Sequence, residues 1–183
     1  MLAVYYLLTL VYSLLLKRIA VVDVMTLAAL YTLRVIAGAA ATGLPLSFWL
    51  LAFSMFLFLS LGVVKRYAEL HVMKVDAKSV AHGRGYHVDD LPLLRNLGIA
   101  SAYGAVLVLA LYVNSPESQA LYRYPQLLWT LCPLVLYWVI RIWMKTHRGQ
   151  MHDDPIVFAL RDRVSIGVGA LSAMIVMLAA WLP

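Results

Sequence analysis

From Leu46 to Val64 the chain carries no charged side chain, and it then places Lys65, Arg66 and Glu69 in quick succession. A helix rises about 1.5 Å per residue and needs roughly 20 apolar residues to cross the hydrocarbon of a bilayer. The stretch is therefore long enough to be a span. Similar runs cover Val22 to Thr42, Leu97 to Val113, Leu127 to Met144 and Val164 to Trp181, and a shorter one, Met1 to Leu16, opens the chain. Composition agrees, since 63% of the 183 residues are hydrophobic and only 13% are charged, about half the charged share of a soluble domain. The expectation is an all-α, polytopic transmembrane helix bundle. It has about five full spans plus a partial first span, in a single membrane domain covering residues 1–183.

Lys and Arg sort the connections into two kinds. Lys17 and Arg18 follow the first run. Lys65, Arg66, Lys74, Lys78, Arg84 and Arg95 crowd the third connection, and Lys145, Arg148, Arg161 and Arg163 precede the last run. Residues 41–47 carry no basic side chain and residues 114–126 only Arg123, while Arg34 and Arg141 fall inside or at the edge of spans. Basic connections mark the cytoplasmic side. The alternation thus implies a multi-pass protein of the cell (inner) membrane with cytoplasmic active loops and with Met1 and Pro183 on the far side. No basic region precedes the first run, so it reads as the tail of a span rather than a signal peptide, and earlier spans are expected upstream. Insertion accounts for the positive charge, and no nucleic-acid partner is expected.

Acids gather at the same mouth. Asp23, Glu69, Asp76, Asp89, Asp90, Asp153, Asp154 and Asp162 lie there, with Glu117 opposite. Some of these have a structural explanation: Asp89 or Asp90 ahead of Pro92, and Asp154 ahead of Pro155, have the form of helix N-caps with proline in the first turn. Arg34 is harder to explain this way. It lies about 16 Å deeper than Asp23 on nearly the same helix face, and a charge at that depth costs at least a few kcal/mol in lipid, so it is expected to face the bundle interior or a wet cavity. Arg161 and Arg163 flank Asp162, and a guanidinium fork suits phosphate oxygens. The small-residue stretches "AGAAATG" (37–43), "GIASAYG" (98–104) and "GVG" (167–169) read as close helix packing. The methionines and Cys132 read as core filler, and the histidines show no metal spacing.

"YSLLLKR" (12–18), "VVDVMTLAALYTLRVIAGAAATG" (21–43), "KRYAEL" (65–70) and "HDDPIVFALRDR" (152–163) together resemble the UbiA-type membrane prenyltransferase superfamily. Within it the chain is most similar to the decaprenyl-phosphate phosphoribosyltransferase subgroup. The resemblance implies the C-terminal portion of a nine-helix bundle over a central cavity. The superfamily's first aspartate motif, which holds magnesium and diphosphate, would lie upstream of this chain, so the chain by itself is expected to be inactive. Where ordinary members carry a second aspartate motif, this chain has Lys65, Arg66, Tyr67 and Glu69. That departure favours a phosphate held directly by cations.

The implied reaction moves a 5-phosphoribosyl group from phosphoribosyl pyrophosphate to a polyprenyl phosphate with Mg2+ as cofactor, the lipid bilayer enclosing the acceptor's tail. On this reading Lys17, Arg34, Lys65, Arg66, Arg161 and Arg163 contact phosphate. Asp23, Glu69 and Asp162 orient those cations or the metal, and Tyr12 and Tyr67 hydrogen-bond sugar or phosphate. Two alternatives stand beside it: a UbiA-type enzyme using a prenyl diphosphate and an aromatic or other small acceptor, and a non-catalytic fragment that completes a membrane bundle.

Overall fold

The computed structural model describes residues 2–43, 47–75, 85–151 and 154–181. Asp76, Lys78, His82, Arg84, His152 and Asp153 lie outside them. Among the described residues eight α-helices follow in order: α1 (Leu2–Leu14), α2 (Val22–Thr42), α3 (Phe48–Val75), α4 (Leu91–Val113), α5 (Pro116–Leu121), α6 (Leu131–His147), α7 (Pro155–Arg161) and α8 (Arg163–Trp181). Short 3-10 turns at Leu16–Arg18, Val88–Asp90 and Pro125–Thr130 join them. Five segments, Val22–Thr42, Phe48–Lys74, Val88–Val113, Pro125–His147 and Arg163–Trp181, are long and apolar enough to cross a membrane, and Tyr5–Leu14 is a shorter apolar helix. The chain is an all-α, multi-pass membrane bundle, with five spans and one shorter apolar helix among the described residues.

Loop contacts sort the helix ends into two sets. At the basic end, the Gly85 amide donates to the Arg18 carbonyl at 3.0 Å and the Val21 amide to the Tyr86 hydroxyl at 2.8 Å. A Cβ on Gly85 would sit 2.9 Å from the Arg18 carbonyl oxygen, so only glycine lets this strand of loop cross the α1–α2 connection. At the other end the Tyr124 amide donates to the Ala179 carbonyl at 3.0 Å. The starts of α2 and α4 thus lie with the ends of α1, α3 and α6, as the distribution of Lys and Arg requires.

The core is built on α3. Its 28 residues extend about 42 Å at 1.5 Å per residue, longer than a hydrocarbon core of about 30 Å, so its last turns emerge at the basic end. Midway, Gly98 of α4 lies against Trp143 of α6. An added Cβ would come within 2.0 Å of the indole. The Trp143 indole N–H donates to Ser60 Oγ at 3.2 Å, and that hydroxyl donates to the Gly98 carbonyl at 2.8 Å. A tryptophan buried in a membrane bundle thereby finds a partner for its polar edge. The small residues of 98–105 follow suit, with Ser101, Ala102 and Ala105 buried. The other two small-residue stretches differ from expectation: nothing lies within 4 Å of a Cβ built on Gly38, Gly167 or Gly169, so among the described residues they are not packing seams.

Two helix starts follow the proline rule. Asp154 caps α7 by accepting the Ile156 amide at 3.0 Å, with Pro155 next in line. Asp90 instead reaches back to the His87 amide at 2.8 Å, closing a capping box around the 3-10 turn that leads into α4. Its carboxylate satisfies a donor that the first turn leaves unpaired.

Candidate functional site

The α1–α2 connection, the end of α3 and the start of α7 bring one charged cluster together. Arg66 is 2% exposed and Asp23 0%. The Arg66 Nε and Asp23 Oδ2 make its closest contact, an ion pair whose N–H is not aligned as a hydrogen bond. Arg66 also donates from NH2 to Asp23 Oδ1 at 3.3 Å and to the Tyr12 hydroxyl at 3.2 Å, and from NH1 to Glu69 Oε2 at 2.5 Å. The Tyr12 hydroxyl in turn donates to Asp23 Oδ1 at 2.8 Å. Glu69, 34% exposed, is the open end of this chain of contacts.

Local sequence explains how these groups meet. Asp23 occupies the first turn of α2, where the helix dipole favours an anion. The residue capping that helix, Val21, has φ +68°, a conformation that a β-branched side chain rarely takes. The Tyr86 hydroxyl accepts its amide, so a loop contact holds a strained turn two residues from the buried carboxylate. Burial holds the Tyr86 hydroxyl above its ordinary pKa, only partly offset by that amide. Strain of this kind concentrates at functional sites.

Lys65 is one helical step around α3, and its ammonium is 2.6 Å from Asp154 Oδ2. Asp154 therefore caps α7 with one oxygen and holds Lys65 with the other. The pair stays partly open, at 33% and 24% exposure. Lys17, on the turn between α1 and α2, is half-buried and has no ion-pair partner among the described residues.

The remaining candidates lie elsewhere. Tyr67 is buried and turns away from Arg66's partners: its hydroxyl is 3.0 Å from His147 Nδ1, and its ring packs with His71 and Trp143. Arg34 departs from the expected interior position. It is exposed on α2, its Nε and NH2 donate to the Tyr5 hydroxyl at 3.0 and 2.7 Å, and its guanidinium lies over the Tyr5 and Tyr31 rings. Two phenol rings, rather than a cavity, accommodate the charge.

Asp162 also differs from the expected arrangement between its chain neighbours. Arg141 of α6 grips it with NH1 to Oδ2 at 2.6 Å and NH2 to Oδ1 at 3.0 Å, and Lys145 stands 3.6 Å from Oδ1. Oδ2 also accepts the Ser165 amide and hydroxyl, at 2.9 and 3.0 Å, at the start of α8. These bonds, the Arg141 fork first, hold its carboxyl well below the usual carboxylate range. The side chains of Arg161 and Arg163 are exposed on either side of it. Asp162 thus pins α6 to α8. The sequence reading missed this partner set, for which the one available signal was the spacing of Arg141 and Lys145, four apart on one face of α6.

Among the described residues no three of His, Cys, Asp and Glu come together as a metal site. Asp23 and Glu69 both face Arg66. These groups do not fit magnesium.

No protein-family model matches the chain. It is 42% identical over 172 residues to the uncharacterized protein y4nM of Sinorhizobium fredii, covering 93% of this chain and 33% of that protein. To the nodulation protein NoeC of Azorhizobium caulinodans it is 34% identical over 149 residues, 80% of this chain and 48% of the relative. To the decaprenyl-phosphate phosphoribosyltransferase of Mycobacterium tuberculosis it is 29% identical over 163 residues, 88% of this chain and 51% of the enzyme. The chain thus spans between a third and about half the length of the curated relatives it matches. It is a multi-pass membrane bundle with distant similarity to a polyprenyl-phosphate phosphoribosyltransferase.

Proposed function

We propose that this chain forms part of a membrane transferase of the UbiA type that moves a 5-phosphoribosyl group from phosphoribosyl pyrophosphate to a polyprenyl phosphate. The observation that carries the reading is the buried Asp23–Arg66 pair, linked to Tyr12 and to the open Glu69, beside the partly open Lys65 at the end of α3 that emerges from the membrane. The distant similarity to decaprenyl-phosphate phosphoribosyltransferase supports it.

The roles divide by exposure. Arg66 is too deeply enclosed to meet a substrate, and its donors are taken up by Asp23, Tyr12 and Glu69. It acts as a positioning residue in place of the direct phosphate contact expected from sequence. Lys65 and Lys17 are open enough to meet a phosphate, as are the exposed Arg161 and Arg163, and a diphosphate arriving at Lys65 competes with Asp154, whose other oxygen keeps its cap on α7. Glu69, oriented by Arg66, addresses the sugar hydroxyls as an acceptor. In the transfer, an oxygen of the lipid phosphate forms a bond to the anomeric carbon. The bond from that carbon to pyrophosphate breaks, and pyrophosphate leaves with the electron pair. Lysine ammoniums placed where this charge develops stabilise the transition state more than the ground state.

The test is transfer of radiolabelled phosphoribose from phosphoribosyl pyrophosphate into the lipid fraction by membranes containing the complete transferase of which this chain forms part, with polyprenyl phosphate added and pyrophosphate release followed in parallel. Label in lipid matched by pyrophosphate supports the proposal. Prenylation of an aromatic acceptor from a prenyl diphosphate, with no label in lipid, overturns it.

A further inference from the structure

Tyr67, one residue beyond Arg66, belongs to a second region on another side of α3. The stripe Tyr67, His71 and Lys74 meets the start of α4 and the end of α6 around a cavity of about 320 Å³, lined also by Asp89, Arg95 and His147. A second cavity of about 280 Å³ continues from it between α4 and α6, sharing Arg95 and His147. Beyond those two residues its lining is apolar apart from the Tyr103 hydroxyl, with Ile99, Ala102, Val139, Ile140 and Trp143 along its walls. The result is an amphiphilic groove with a basic mouth and a greasy channel.

Three observations specify its occupant. Lys74 and Arg95 are exposed and have no ion-pair partner among the described residues, so the mouth presents fixed positive charge, with Asp89 as the acid in its lining. The channel runs from Arg95 to Tyr103, about 12 Å along α4, comparable with one leaflet of a hydrocarbon core about 30 Å thick. Tyr103, Ile140 and Met144 are half-exposed along it, and α4 and α6 are both spans, so the channel opens sideways to lipid. A free anion would leave the channel without a partner, and an uncharged lipid would leave the cations without one.

We propose that this groove binds a phosphate-headed lipid of the surrounding bilayer, its head among Lys74, Arg95, His71 and His147 and one acyl chain between α4 and α6. The arginine fork takes two phosphate oxygens, and the lysine adds a point charge. The inference does not depend on the transferase reading, because none of the groove's residues is assigned to the phosphate cluster at Lys65.

The experiment is native mass spectrometry of the protein extracted in uncharged detergent and titrated with dioleoyl phosphatidic acid, dioleoyl phosphatidylcholine or inorganic phosphate. Expected is a saturable phosphatidic acid adduct, at least tenfold tighter than phosphatidylcholine, and no retained inorganic phosphate. Arg95→Gln and Lys74→Gln should each weaken the adduct severalfold, and Ile140→Trp, at a half-exposed wall position, should obstruct the channel and weaken it as well. Arg123→Gln, at the other end of the bundle, should leave it unchanged. Equal retention of phosphatidylcholine, retention of inorganic phosphate as tight as the lipid, or indifference to both Arg95→Gln and Ile140→Trp would overturn the proposal.

Discussion

Asp23 and Asp162 each meet an arginine from another helix at the same end of the bundle, but the first pair is sealed at 0% and 2% exposure while the second keeps 11% for Asp162 and 18% for Arg141. The partners differ too. Asp162 is used fully by structure: a two-pronged arginine, a lysine, and the amide and hydroxyl that start α8. Asp23 meets Arg66 and Tyr12 and is linked through Arg66 to a carboxylate that is one-third exposed. A pair that closes on itself fastens helices. A buried pair that leads to an open carboxylate beside an accessible lysine prepares a surface for something else.

The contrast breaks most readily at the buried pair. Asp23→Ala leaves the enclosed Arg66 charge with only the one-third exposed Glu69 as an ion-pair partner, and losing one partner of a buried ion pair costs about 3–5 kcal/mol. Unfolding in detergent should show that loss. The double variant Asp23→Ala with Arg66→Met should recover much of it, because no buried charge then remains. A single variant within about 1 kcal/mol of the parent would mean that water reaches Arg66 and that the cluster is not sealed.

Asp162→Ala should cost less, about 2 kcal/mol, through loss of a helix cap and of a partly exposed ion pair. Its pH dependence has a definite sign. The folded carboxyl is held below the ordinary value by Arg141, so its contribution is fully present above the unfolded pKa of about 3.9 and is lost as pH falls through the folded value. Parent and Asp162→Asn should therefore differ by a constant amount above about pH 5 and converge in stronger acid. Convergence near neutrality would show that another group titrates in the pair's place.

Arg163→Gln should change stability least, by no more than about 0.5 kcal/mol, as for most exposed positions. A larger loss would show that Arg163 shares in holding Asp162, as its position in the sequence first indicated.

The spans were legible because an uncharged apolar run leaves a chain few other outcomes, and the helix ends that lie together were legible because Lys and Arg distribute so unequally. The sequence reading also selected Tyr12, Asp23, Arg66 and Glu69, which the fold brings into contact. It did not reach the mutual arrangement. Arg66 and Tyr67 are adjacent in sequence, but the roughly 100° step of a helix sends one toward α2 and the other toward α6, and only the neighbouring helices decide which face holds the charge. Arg34 left the expected interior for phenol rings at an exposed position, which no spacing rule foretells. Asp154 was legible as a cap, and its hold on Lys65 was not, because that contact joins positions far apart in the chain.

The central claim is that the emerging end of α3 receives a diphosphate through Lys65. Titrating the membrane-borne protein and its Lys65→Ala variant with phosphoribosyl pyrophosphate, and separately with polyprenyl phosphate, tests it most directly. Loss of one charge-assisted contact of about 1.5–3 kcal/mol should weaken phosphoribosyl pyrophosphate roughly ten- to a hundredfold. Lys65→Arg should restore only part of this, and affinity for polyprenyl phosphate should change little. Unchanged affinity for phosphoribosyl pyrophosphate in Lys65→Ala would contradict the account and leave Lys65 as the partner of Asp154 alone.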